Sequence, residues 1–165
     1  MITREQTDLS GFATGAKFSP CLCYRYALWR QWNPELPMIN FIMLNPSTAD
    51  EVKNDPTVER CERRAREMQF GTLYVTNLYA WRATDPKELK KVADPVGPEN
   101  TAEILHWAKR AAMVICAWGI RGERGGEVRT LLRAAGVQLH CLKKTDGDHP
   151  WHPLYVPYAK QPEPF

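Results

Sequence analysis

The chain has 165 residues, 44% of them apolar, which suits one domain built on one sizeable core. A net charge of +3 permits a polyanionic partner without demanding one, and no run of about 18 apolar residues is available to span a membrane. The first ten residues carry Arg4, Glu5 and Asp8 where a secretory leader needs an apolar stretch, so a cytoplasmic protein with reduced thiols at its five cysteines is expected.

Residues 1–37 are expected to hold an N-terminal edge strand or hairpin, because 24–32 (Y-R-Y-A-L-W-R-Q-W) is aromatic, alternates loosely and stops at Asn33-Pro34. Cys21 and Cys23 precede it as a Cys-x-Cys pair with no matching second pair, which reads as structural. Residues 38–44 (M-I-N-F-I-M-L) are almost continuously apolar, the pattern of a strand buried on both faces of a parallel sheet. Asp55 then caps a helix with Pro56 at its first position; Val58, Cys61, Ala65 and Met68 form the inward stripe, and Arg60, Arg63, Arg64 and Glu67 the wet side. Gly71 is expected to close that helix, and 72–76 (T-L-Y-V-T) to form a second strand ending at Asn77.

Residues 78–97 read as irregular apart from a short helix at 86–92, and so long a connection within a domain is usually functional. A helix from Pro98 or Glu99 to about Arg110 leads into a third strand at 111–117. A further helix over 123–135, with Val128, Leu131, Leu132 and Ala135 inward, stops at Gly136 before a fourth strand at 137–142. The remainder, 143–165, is a proline-rich loop and tail. The expected fold is α/β: a three-layer sandwich with a mainly parallel four-stranded central sheet, its core units lying within 38–142 of a single 1–165 domain.

In an open parallel sheet, ligands bind beyond the carboxyl ends of the strands where the strand order reverses. Those ends are Asn45-Pro46-Ser47, Asn77-Leu78-Tyr79, Trp118-Gly119 and the stretch from His149 to His152. An amide at Asn45 can hold a water or read a heterocycle, and equally can close a turn into Pro46; the same two roles are open to Asn77. Asp55 is claimed by the helix cap, which leaves Asp50 as the candidate to orient a nucleophilic water. His152, or His149 in its stead, can stabilise a leaving group bearing negative charge. The two histidines find no third ligand at a recognisable spacing, so neither a metal nor any other cofactor is expected.

Residues 118–126 (W-G-I-R-G-E-R-G-G) enter a helix from a strand, so Gly119, Arg121 and Arg124, with Ser47, are candidates for holding phosphate. The run matches no full dinucleotide-binding or P-loop pattern. Trp81, Trp118 and Tyr155 join Asn77 as candidates for base binding, since an aromatic face stacks a base.

The combination of R-Y-A-L-W-R, L-N-P-S-T-A-D with N-D-P-T, T-N-L-Y-A-W-R-A-T-D-P, A-W-G and H-P-L-Y resembles a bacterial and phage family known only as domain of unknown function 1643. More distantly, strand-Asn-Pro, strand-Asn, strand-Trp-Gly and strand-His-Pro in this order resemble the uracil-DNA glycosylase superfamily. That resemblance implies a glycosylase-like fold. It also implies that Asn45 positions the attacking water, Asn77 reads the base and His152 stabilises charge on the departing base. Leu44 and Ser47 replace motif glycines and Leu154 replaces a motif serine, which counts against ordinary uracil in DNA as the substrate. Trp81 stands where cluster-bearing members have a cysteine, so the resemblance implies no iron–sulfur cluster.

The leading expectation is a nucleobase-recognising enzyme that hydrolyses an N-glycosidic bond, with a nucleic acid or nucleotide as partner and no membrane. Its rivals are a non-catalytic module for a nucleotide or modified base, and a hydrolase of small phosphoesters using Arg121 and Arg124. No oligomeric state is implied.

Overall fold

The apolar run at 38–44 becomes β4 (Met38–Met43), which is buried on both faces. On one side Ile39, Phe41 and Met43 pack with Val58, Cys61 and Ala65; on the other Ile42 and Leu44 pack with Ile104, Val128 and Leu132. The first set belongs to α1 (Pro56–Glu67), whose N-cap Asp55 accepts a hydrogen bond from Val58 N at 2.8 Å. The second belongs to α2 (Asn100–Arg110) and α3 (Gly125–Ala134). This computed structural model describes residues 1–165.

β5 (Thr72–Asn77), β6 (Met113–Cys116) and β7 (Leu139–Cys141) run parallel with β4 in the order β5-β4-β6-β7. The chain reaches β5 on one side of β4 through α1, then passes back over β4 to β6 through α2. The strand order therefore reverses at β4, and helices cover both faces of the sheet.

The sheet is larger than the four strands read from the sequence: it has eight and is mixed. β1 (Ile2–Thr7), β2 (Ala13–Phe18) and β3 (Arg25–Gln31) form an antiparallel meander whose last strand pairs with β5, while β8 (Glu163–Pro164) adds antiparallel to β7. The aromatic strand expected at an edge, β3, thus lies inside the sheet. Its outer neighbours carry little hydrophobic signal, since β1 is exposed at every residue and β2 is mostly small side chains. β8 is a two-residue strand ending in proline, which only an edge tolerates.

Arg64, expected on the wet side of α1, is buried. Its guanidinium donates to the carbonyls of Val156, Pro157, Tyr158 and Lys160 at 2.9–3.3 Å, because the C-terminal segment is laid across the helix. Gly71 does not close α1; the helix ends at Glu67 with Met68 as its C-cap, and Gln69 takes the left-handed conformation at φ 63°. Gly71 is needed because a Cβ there would run into the backbone carbonyl of Asn33. The short helix expected at 86–92 is a 3-10 helix, Pro86–Lys91. No helix is long and apolar enough to cross a membrane.

Candidate functional site

Beyond the carboxyl ends of β4, β5 and β6 lies a cavity of about 600 Å³. Asn45 and Ser47 after β4, Asn77 at the end of β5, Trp118 to Arg121 after β6, and His152 to Tyr155 beside the C-terminal 3-10 turn all contribute to its lining, except Pro153. Arg25, Asp55, Thr57 and Thr84 complete its polar wall.

Asn77 is 1% exposed, and neither its Oδ1 nor its Nδ2 has a hydrogen-bond partner. A buried amide normally satisfies both atoms, so this side chain, lining a cavity with both unpaired, still has one donor group and one acceptor to offer. The backbone carbonyl of Asn77 is held separately, by Asn100 Nδ2 at 2.9 Å.

Arg25 reaches the same cavity through a β-bulge. Ala27 pairs with Lys17 and Arg25 with Phe18, so Tyr26 is an extra residue on β3. The bulge turns Arg25 toward the α1 face, where its Nη1 donates to Ala49 O at 2.6 Å and its Nε has no partner. Burial pushes the guanidinium down to about 10, with the Asp55 carboxylate acting in the opposite sense, so it stays charged at neutral pH.

Asn45 donates through Nδ2 to Pro46 O at 3.0 Å and Ala83 O at 2.8 Å, which fixes the amide and leaves Oδ1 to accept from a water or ligand. His152 caps the turn Pro153–Tyr155 by accepting from Leu154 N at its Nδ1, 3.3 Å away, which puts the proton of the neutral ring on Nε2. Burial holds this imidazole neutral to lower pH than usual, against the pull of Asp55. Asp55 is the only carboxylate lining the cavity, and its Oδ1 is engaged by Val58 N.

Several candidates from the sequence lie elsewhere. Asp50 does not line the cavity, because its Oδ1 accepts from Val52 N and Lys53 N within its own turn. Trp81 stacks edge-on against Tyr24 at 5.3 Å and is also outside the lining, as is His149. Trp118 reaches the cavity but is 3% exposed, its indole packed in the core with Phe165 at 5.9 Å. Tyr155, by contrast, stands exposed at the rim beside His152.

The glycine-rich run after β6 is built around that indole. A Cβ on Gly122 or Gly125 would collide with the Trp118 ring. Gly119 N is bonded to Pro150 O at 2.8 Å, and Arg124 donates to Leu78 O at 2.7 Å and Thr101 Oγ1 at 2.5 Å. Arg121 remains exposed, lining both this cavity and an adjoining one of about 510 Å³ that also carries Lys87 and Lys90. No three His, Cys, Asp or Glu side chains gather in a metal-binding group.

Sequence reasoning missed Arg25 and assigned Asp55 to capping alone, although it both caps α1 and lines the cavity. An arginine at the start of a strand that continues Y-A-L-W was the available signal, but the bulge that aims it has no local signature.

A family model described as protein of unknown function (DUF1643) matches residues 25–154, well over half of the chain. No curated protein and no solved structure matches it.

Proposed function

The chain belongs to the DUF1643 family, and from that premise and the donors of its cavity we propose that it binds a nucleobase there and cleaves the N-glycosidic bond with water. The observation that carries this reading is the Asn77 amide, buried with donor and acceptor both free, which complements the donor–acceptor edge of a base.

In this mechanism a water donates one hydrogen bond to Asn45 Oδ1 and is directed at the anomeric carbon. As the new C–O bond forms, the proton of the water passes to the free oxygen of Asp55. The C–N bond breaks with its electron pair remaining on the base, and the resulting negative charge is stabilised by the Nε2–H of His152. Arg121 and Lys87 in the adjoining cavity suit the phosphates of a nucleotide or strand, while Lys90 there faces Glu123 at 3.9 Å. A duplex substrate also requires extrusion of the base, at a cost of a few kcal/mol.

The test is mass spectrometry of released bases, with wild type and Asn77→Leu incubated with DNA bearing normal, deaminated and hypermodified bases. Wild type is expected to release a base and Asn77→Leu to release none. The variant should fold at least as stably, by up to about 1 kcal/mol, since leucine replaces a buried amide that has no partners. Silence of wild type on single and double strands would end the cleavage reading. Base binding retained by wild type and lost in the variant would then identify a non-catalytic module.

A further inference from the structure

We propose that Arg25 selects a nucleobase carrying an acidic substituent, which seats on the guanidinium while Asn77 reads the ring edge. This rests on the base-binding reading above and names the class of base.

Three arginines are almost fully buried in this protein, and they differ in how their donors are used. Arg30 donates to Asn54 Oδ1 and to the carbonyls of Trp29, Asp50 and Lys53. Arg64 donates to four carbonyls of the C-terminal segment. Arg25 makes one bond, to Ala49 O, and forms no ion pair. It is also the one of the three that lines the cavity containing Asn77.

A buried cation without a counter-charge is strongly unfavourable, and the fold places this one by a bulge that costs β-ladder pairing. The neighbouring charges do not remove the deficit: Arg82 and Arg30 oppose Asp55 and Asp50 in the field at Arg25. A neutral base leaves the guanidinium uncompensated, whereas a carboxylate on the base forms the charge-assisted pair that the protein itself withholds. Asn77 sits on β5, the strand next to β3, so one planar ligand can meet both groups.

Equilibrium binding at neutral pH tests this with three probes: thymidine, deoxyuridine, and the deoxyuridine whose ring bears a carboxylate where thymidine has its methyl. Wild type is expected to bind the carboxylated nucleoside roughly tenfold or more tighter than thymidine. Arg25→Met should bring the ratio between the two nucleosides to about one, and Arg25→Lys should retain part of the preference. Acetate alone should compete weakly with the carboxylated nucleoside and not with thymidine. Thymidine bound as tightly as the carboxylated nucleoside by wild type overturns the inference and leaves base binding standing. A preference that survives in a folded Arg25→Met overturns it as well, since another group must then read the acid. If none of the three nucleosides binds, the base-binding reading fails, and this inference with it. A wild-type ratio near one overturns the inference whether or not the variants fold, and Arg25→Lys, which keeps the charge, assigns the preference to Arg25 should Arg25→Met not fold.

Discussion

At His152 two effects act on one imidazole: burial disfavours its charged form, and the carboxylate of Asp55 favours it, with burial the larger. The folded-state pKa therefore lies below the unfolded value of 6.5, and the unfolded chain takes up its proton first as pH falls. The contribution of His152 to stability is full above that unfolded value and is lost as pH drops through the window beneath it. Unfolding free energies of wild type and His152→Gln, measured from about pH 7.5 to about pH 5, should show wild type losing ground to the variant as the solution is acidified. A difference independent of pH would mean that the ring titrates alike in both states. Asn77 was recognisable in the sequence as the amide ending an apolar strand, but its lack of partners was not. That depends on which groups fail to approach it, which is a property of the packed neighbours.

The element that holds His152 in place is α1. Arg60 donates to Pro153 O and Val156 O, both at 2.8 Å, and Arg64 shares Val156 O and takes the carbonyls of Pro157, Tyr158 and Lys160. These two arginines thus clamp the segment that carries His152 and Tyr155 onto a helix whose N-cap, Asp55, lines the cavity. Arg64→Met should cost roughly 3 kcal/mol in denaturant unfolding, because several buried carbonyls lose a charged donor. Amide exchange is expected to quicken first near residues 156–160. A loss below about 1 kcal/mol would show that other contacts hold the segment. The apolar stripe of α1 follows from helical spacing, yet the fate of Arg64 does not: its position borders that stripe, and only the returning C-terminal chain decides whether it is wet or buried.

Over the whole molecule, the cavity exists because the chain steps from β4 to opposite sides, opening a crevice between strand ends. The flanking strands close the sheet around it. At the β7 edge, Phe165 N bonds Leu139 O, Arg133 Nη2 bonds Phe165 O at 2.7 Å, and the Phe165 ring meets both Trp118 and the Arg129 guanidinium. Phe165→Ala should therefore destabilise the fold by roughly 3 kcal/mol. It should also alter the fluorescence of Trp118, whose indole separates this edge from the cavity. Unchanged stability would mean that Phe165 is not part of the core that supports the site.

The sequence by itself determined the four parallel strands, the three helices between them and the set of strand ends from which Asn45, Asn77, Trp118 and His152 come, because hydrophobic period, capping residues and glycine or proline stops are local signals. It also implied a site at those ends, although not which side chains would be consumed by structure: Asp50, Trp81 and Arg124 looked free and are engaged in their own turns or packing. Tertiary structure alone decided the eight-stranded extent of the sheet, the interior place of β3 and the aim of Arg25. Those features arise from pairing between residues distant in sequence. A polar strand such as β1 is recruited by its partner's backbone, and a bulge turns one arginine inward through register, which no periodicity within the strand records.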